Sequence, residues 1–145
     1  MLYWEDPGSY LVVAGKFMKK YPRIVQLLSA YAPPIIWAGL IFFLSDQSTL
    51  PGASYPLIDL ILKQSAHVFV YAALHFLIWR INKKSISTPL LVTFIYALTD
   101  EFHQSFIPGR TATIIDIGFD SMGIAISHYL THRQKQLHSH KPQNR

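Results

Sequence analysis

Residues that could do chemistry are concentrated in one short stretch that ends an apolar segment. The run DEFHQSFIPGR, residues 100–110, holds two carboxylates, a histidine, two polar uncharged side chains and an arginine. It follows the apolar run 90–98, which looks like the body of a membrane helix. Ionisable groups at the end of such a helix are costly to bury, so they need partners, water or a function. Their types suit proton transfer and the binding of an anion.

Two further sets of polar residues occur at helical spacing. Lys63, His67 and Tyr71 are four residues apart and therefore share one face of a helix. A second stripe lies downstream and consists of Asp116, Asp120, Gly123 and Ser127. Its small residues would let another helix approach closely. Its two aspartates repel each other, so they need Lys63, Arg110, a bound cation or a shared proton.

The composition is more apolar and less charged than that of an ordinary soluble domain. Half of the residues are hydrophobic and 14% are charged, against about 25% in a soluble domain. The chain has no cysteine, which excludes disulfides, thiolate chemistry and cysteine metal sites. The net charge is +5, but the cations flank apolar blocks and no nucleic-acid-binding motif is present. The predicted partner is therefore the lipid bilayer and not a nucleic acid.

The apolar residues form four blocks, which predict four helices at 24–44, 57–79, 87–106 and 113–129. The first block has 21 residues without charge, enough to cross about 30 Å of hydrocarbon. The prolines Pro33 and Pro34 should kink or locally unwind it. The other blocks contain polar residues, so a soluble four-helix bundle is the alternative.

Charge asymmetry favours the membrane. With four spans, all of the 13 lysines and arginines except Lys63 and Arg110 fall on one side, which the positive-inside rule makes cytoplasmic. The predicted fold is an all-α integral membrane bundle of four transmembrane helices, with both termini cytoplasmic. Residues 1–23 are predicted to be a cytoplasmic or interfacial segment, 24–130 the membrane domain, and 131–145 a disordered cytoplasmic tail.

Chain direction then brings the polar residues together. The first and third helices end, and the second and fourth begin, on the extracytoplasmic side, which predicts one polar cap at that end of the bundle. A transporter is disfavoured because no charged path crosses the inner half.

Four motifs together resemble the VanZ-like family: SDQS at 45–48, K-x3-H-x3-Y at 63–71, DE-x2-Q-x-F-x-PGR at 100–110 and D-x3-D-x2-G at 116–123. The resemblance covers residues 30–130. These are small multi-span bacterial membrane proteins, named after a protein associated with resistance to the glycopeptide teicoplanin. The resemblance implies a role in the cell envelope. Asparagine is usual in the family at the position of Asp120, so this chain carries an additional negative charge there.

Two functions are compatible with these residues. The first is a non-enzymatic protein that alters the envelope or lowers the access of glycopeptides to the cell surface. The second is a membrane hydrolase or transferase that acts on a lipid-linked or phosphorylated envelope precursor. For the second, the predicted roles are catalytic for Glu101, His67 and Asp116, substrate- or anion-binding for Lys63, Arg110, Gln104 and Asp46, and supporting for Tyr71, Asp100 and Asp120.

The same residue types are also compatible with a purely structural role or with a metal site. Lys63, Glu101, Arg110 and Asp116 could form only a structural ion-pair network that keeps the helices in register. His67, Glu101 and Asp116, assisted by His103 or Asp120, have side chains suited to a divalent cation. No local metal-binding spacing supports that site, and the sequence identifies no cofactor.

Overall fold

The structure is a computed structural model that describes residues 21–48, 55–83, 85–110 and 112–139. In this part of the chain the regular elements are four helices, with no strand: α1 (Arg23–Ser45), α2 (Pro56–Ile81), α3 (Ser87–Gln104) and α4 (Ile114–Ser139). The all-α prediction is confirmed. The bounds of the first three helices agree with the predicted ones to within two residues, because apolar blocks and flanking turn residues mark them. The predicted segment 1–23 lies outside the described residues except for its last three.

Helix α1 is continuous through Pro33 and Pro34, so the local unwinding expected there does not occur. Each proline removes one backbone hydrogen bond, and the remaining bonds of this 23-residue helix keep it intact. The chain divides into two compact units, residues 1–33 and 34–145. All of the site residues belong to the second unit.

Helix α4 continues to Ser139, into the segment that the sequence predicted to be a disordered tail. The prediction is therefore wrong for residues 131–139, whereas 140–145 lie outside the described residues. Thr131 is buried, and its hydroxyl donates to the carbonyl oxygens of Ser127 and His128, both at 2.9 Å. The following Arg, Gln and Lys residues are good helix formers, so polarity alone does not end the helix.

Helices α2 and α4 form the most extensive contact among the described helices. A Cβ added at Gly123 would lie 2.2 Å from the carbonyl oxygen of Val68, so only glycine permits this approach. One turn later, Ser127 Oγ lies 2.9 Å from Nδ1 of the fully buried His75. The prediction that Gly123 and Ser127 allow a close helix approach is confirmed.

Polarity is distributed in the opposite way to a soluble protein. Among the described residues, nine polar or charged residues are buried, against six buried hydrophobic ones. Large exposed apolar side chains occur on all four helices, among them Phe43, Phe69, Ile95 and Ile126. Soluble proteins bury their apolar residues and rarely bury charged ones. In the described part, two segments, Arg23–Ser45 and Leu57–Ile81, are long and apolar enough to cross a membrane by length and composition.

Candidate functional site

Asp100 is the centre of a buried hydrogen-bond network that joins three helices. Its Oδ2 accepts hydrogen bonds from Ser45 Oγ of α1 at 2.9 Å, from Tyr71 OH of α2 at 2.8 Å and from Gln104 Nε2 of α3 at 3.2 Å. Gln104 Nε2 also lies 3.2 Å from Ser45 Oγ. Asp100 is only 4% exposed, and such bonds compensate the burial of a carboxylate. Asp100, expected to have a supporting role, thus connects α1, α2 and α3.

Helical spacing explains why these side chains meet. Asp100 and Gln104 are one turn apart in the last turns of α3 and therefore share a face. Ser45 is the last residue of α1 and lies beside them. Tyr71 belongs to the predicted stripe on α2 and is buried within the cluster of apolar residues that the helices share. The predicted convergence of polar residues from these three helices is therefore observed.

Arg110 binds the end of α1. Gly109 has a positive φ of 83°, a conformation that glycine adopts without strain, and the turn directs Arg110 back over the helix ends, as predicted. The guanidinium donates to the carbonyl oxygens of Gln47, at 3.0 Å, and Leu44, and its NH1 lies 3.4 Å from Gln104 Oε1. The last carbonyls of a helix lack partners within the helix and carry partial negative charge. Arg110 thus caps α1; its anion-binding role stays a prediction.

A second polar group lies between α2, α3 and α4, and we call it the His67 cluster: His67, Glu101 and Asp120. Nδ1 of His67 lies 2.8 Å from Oδ1 of Asp120. One potential metal-ligand atom from each of the three residues lies within 4.8 Å of the others. Asp120 is fully buried and Glu101 is 4% exposed. Neither carboxylate oxygen of Glu101, nor Oδ2 of Asp120, has a hydrogen-bond partner within the described part of the chain.

Asp116 lies apart from this cluster, at the start of α4. Thr113 Oγ1 donates to Asp116 Oδ2 at 2.6 Å, and the backbone N–H of Asp116 lies 3.3 Å from Thr113 Oγ1. Gln64 Nε2 donates to Asp116 Oδ1 at 3.1 Å. The arrangement is a helix cap, in which the carboxylate lies near the positive end of the helix. The structure therefore groups Asp120, and not Asp116, with His67 and Glu101.

Two other predicted residues form ion pairs nearer the surface. Lys63 Nζ lies 2.6 Å from Asp59 Oδ2, one turn earlier on α2, and its side chain is 53% exposed. Asp46 Oδ1 lies 3.4 Å from His103 Nε2, and the His103 ring stacks on Phe42. Exposed pairs contribute little to stability. Lys63 therefore pairs within its own helix and not with the aspartates of α4.

An open groove runs along α2 and α4 beside these groups. Its polar lining includes Lys63, Gln64, His67, Gln104, Arg110 and Asp116. Three of the four predicted anion-binding residues thus line one groove, whereas Asp46 pairs with His103. His67 lines the groove and also belongs to the His67 cluster. Its imidazole therefore connects the groove to the two buried carboxylates of the cluster.

Sequence reasoning gave no role in the site to three hydrogen-bond partners: Ser45, Gln64 and Thr113. For Thr113 a signal exists, because Ser or Thr followed three residues later by an acidic residue is typical of a helix N-terminus. Ser45 lies in the SDQS motif, but only proximity to Asp100 shows that it is a donor. No local pattern distinguishes Gln64.

The chain matches the family model described as VanZ/LLP1 over residues 30–134. The match includes all of α2 and α3 and every residue of the Asp100 network and the His67 cluster. No curated protein and no solved structure matches the chain.

Proposed function

We propose that this chain, which belongs to the VanZ/LLP1 family, is a multi-pass protein of the bacterial plasma membrane that acts in the cell envelope through an extracytoplasmic polar site. Family membership suggests a membrane protein linked to glycopeptide resistance. The observation that carries the proposal is the gathering of buried polar residues from the ends of α1 and α3, the middle of α2 and the first two turns of α4. Such groups are expensive inside a membrane and mark functional sites there.

Four spans with both termini in the cytoplasm are part of this proposal. The exposed large apolar side chains on all four helices support it, because a soluble protein buries most of its large apolar residues. The asymmetric distribution of lysine and arginine supports the orientation. In that orientation the Asp100 network and the groove lie on the side on which glycopeptides act.

The groove supports a substrate that carries a phosphate or carboxylate. Lys63 and Arg110 supply positive charge on its wall, beside the carboxylates of Asp59 and Asp116, and arginine and lysine are the usual partners of such anions. Apolar residues such as Leu60 and Phe69 continue the same wall. A lipid-linked envelope precursor combines these two features, since its headgroup is anionic and its chain is apolar.

An enzymatic form of this function is favoured by one observation on Glu101. Its two buried oxygens have no hydrogen-bond partner in the described residues, and it belongs to the same cluster as His67, which borders the groove. A carboxylate without competing donors is suited to transfer a proton as a general acid or base. In a hydrolase or transferase, Glu101 would transfer the proton, while Asp120 would hold His67 and Lys63 and Arg110 would bind the anion.

The test compares Glu101→Gln and Arg110→Lys with the control Arg80→Lys. Arg80 is exposed and lies in the last turn of α2, away from the groove. Each variant is expressed in cells that lack the native gene, and its membrane abundance, teicoplanin tolerance and lipid-precursor pools are measured. Loss of tolerance or a changed pool at normal abundance supports the proposed site. Loss of abundance indicates a structural network. Unchanged phenotype at normal abundance overturns both forms of the proposal.

A further inference from the structure

We propose that the His67 cluster binds one divalent transition-metal ion, with His67, Glu101 and Asp120 as its protein ligands. The three residues come from α2, α3 and α4, and a potential ligand atom of each lies within 4.8 Å of the other two. One imidazole and two carboxylates are the donor types that zinc and manganese accept. The sequence left open a site of His67, Glu101 and Asp116 with His103 or Asp120 assisting; the geometry groups Asp120, and not Asp116, with His67 and Glu101.

The carboxylates themselves supply an independent reason. Glu101 is 4% exposed and Asp120 is 0% exposed. Both oxygens of Glu101 and Oδ2 of Asp120 lack a hydrogen-bond partner within the described residues. Buried polar atoms normally have partners; Oδ2 of Asp100 has three donors, whereas its Oδ1 has none in the described residues. A cation held by Glu101 and Asp120 would supply partners to the unpartnered oxygens of these two residues.

The nearby cationic side chains of Lys63 and Arg110 contact groups outside the His67 cluster. Lys63 pairs with Asp59, and the guanidinium of Arg110 binds carbonyl oxygens at the end of α1. Within the part of the chain that the structure describes, His67 forms the one ion pair with Asp120, and Glu101 forms none. A metal ion would neutralise two carboxylates, whereas a protonated His67 could balance only one.

The separations fit a tetrahedral ion after small side-chain movements. With bonds of about 2.0–2.2 Å, neighbouring ligand atoms around zinc lie about 3.4 Å apart. His67 Nδ1 and Asp120 Oδ1 are already 2.8 Å apart. The ligand atoms of the three residues lie within 4.8 Å of one another, a bound about 1.4 Å longer than the tetrahedral separation. Rotation of the flexible Glu101 side chain can close this difference.

Three protein ligands leave one coordination position open, as in catalytic zinc sites. His67 lines the groove, so the open position can receive water or a substrate oxygen from there. The backbone supports the site as well. Gly123, one turn after Asp120, holds α4 against α2 at Val68, which keeps Asp120 beside His67 before any ion binds. Such support from outside the ligands is a general property of metal sites.

The experiment uses the full chain, purified in lipid nanodiscs and stripped of metal with a chelator. Zn²⁺ and Mn²⁺ are titrated by calorimetry, and metal content is measured by mass spectrometry after dialysis. The native chain is expected to bind one equivalent. His67→Gln, Glu101→Gln and Asp120→Asn should each weaken binding at least tenfold. The control Asp59→Asn removes a carboxylate two turns before His67 on the same helix and should leave affinity unchanged.

Binding of cobalt to the native chain gives a second readout, since its visible spectrum reports nitrogen and oxygen ligands. No saturable binding by the native chain overturns the proposal without any variant, and so does equal affinity in Asp120→Asn. Equal loss in Asp59→Asn also overturns it, because binding would then be non-specific. The probe is the metal alone, so a negative result leaves the proposed envelope function standing with Glu101 as its acid or base, whereas one bound equivalent makes Glu101 a ligand in place of that role.

Discussion

His67 and Asp120 link α2 to α4 one turn away from the close contact of Gly123 with the backbone of Val68. Nδ1 of His67 lies 2.8 Å from Oδ1 of the fully buried Asp120. Gly123 follows on the same face, and its missing side chain lets the backbone of Val68 approach. The hydrogen bond therefore depends on a packing contact, and the two can be tested separately.

Replacement of Gly123 by alanine should destabilise the protein. The new Cβ would lie 2.2 Å from the carbonyl oxygen of Val68, which is backbone and cannot rotate away. We expect a loss of about 1–3 kcal/mol in the free energy of unfolding, the usual range for overpacking, measured by thermal denaturation in detergent. Gly118→Ala in the same helix is the control, since nothing lies within 4 Å of its Cβ position. Equal stability of the two variants would contradict the close contact.

Tyr71→Phe should weaken the Asp100 network while preserving the ring. Tyr71 OH donates to Asp100 Oδ2 at 2.8 Å inside the protein. We expect unfolding to become easier by about 1–3 kcal/mol, the range for a lost hydrogen bond to a buried charged group. Tyr129→Phe is the control, because Tyr129 is 62% exposed. If both variants unfolded at the same temperature, the Asp100 network would not contribute to stability.

Arg110→Lys should loosen the connection between α3 and α4 although it keeps the charge. The guanidinium contacts Leu44, Gln47 and Gln104 at once, and a lysine presents a single ammonium that cannot reproduce this fork. We expect faster proteolytic cleavage near residues 105–113. Arg80→Lys, which changes an exposed arginine, should leave the cleavage rate unchanged. A cleavage rate unaltered in Arg110→Lys would show that charge alone is sufficient.

The absence of native cysteine makes the proposed topology testable with single replacements. Ser105 follows α3 and Lys83 follows α2, and both are exposed. In intact cells an impermeant maleimide should label Ser105→Cys, whereas Lys83→Cys should react only after permeabilisation. The reverse labelling would place the Asp100 network on the cytoplasmic side, and labelling of both in intact cells would reject four spans.

Helices and polar stripes were predictable because their signals are local. Apolar blocks determine where a helix runs, and a four-residue spacing determines which side chains share its face. The partner of His67 was not predictable in this way. Asp116 and Asp120 are one turn apart, and the rotation and register of α4 against α2 decide which of them meets His67. Those quantities depend on the contact of Gly123 with Val68, which joins residues far apart in the sequence.

The end of α4 shows a different limit. The polar composition after residue 130 indicated disorder, but a helix that is already formed extends at little cost. Buried Thr131 continues the packed face beyond the apolar block. Local composition reports whether a segment can start a helix by itself, and it does not report whether a neighbouring helix carries on through it.

The Asp100 network also bears on how the protein is assembled. Of the described helices, α1 and α2 are long and apolar enough to cross a membrane by length and composition, and they precede α3 in the chain. They carry Ser45 and Tyr71, which donate to Asp100. In the proposed four-span topology, two donors of Asp100 are therefore in the bilayer before α3 enters with its buried carboxylates. In that topology, the order of synthesis provides polar partners before the charge that needs them arrives.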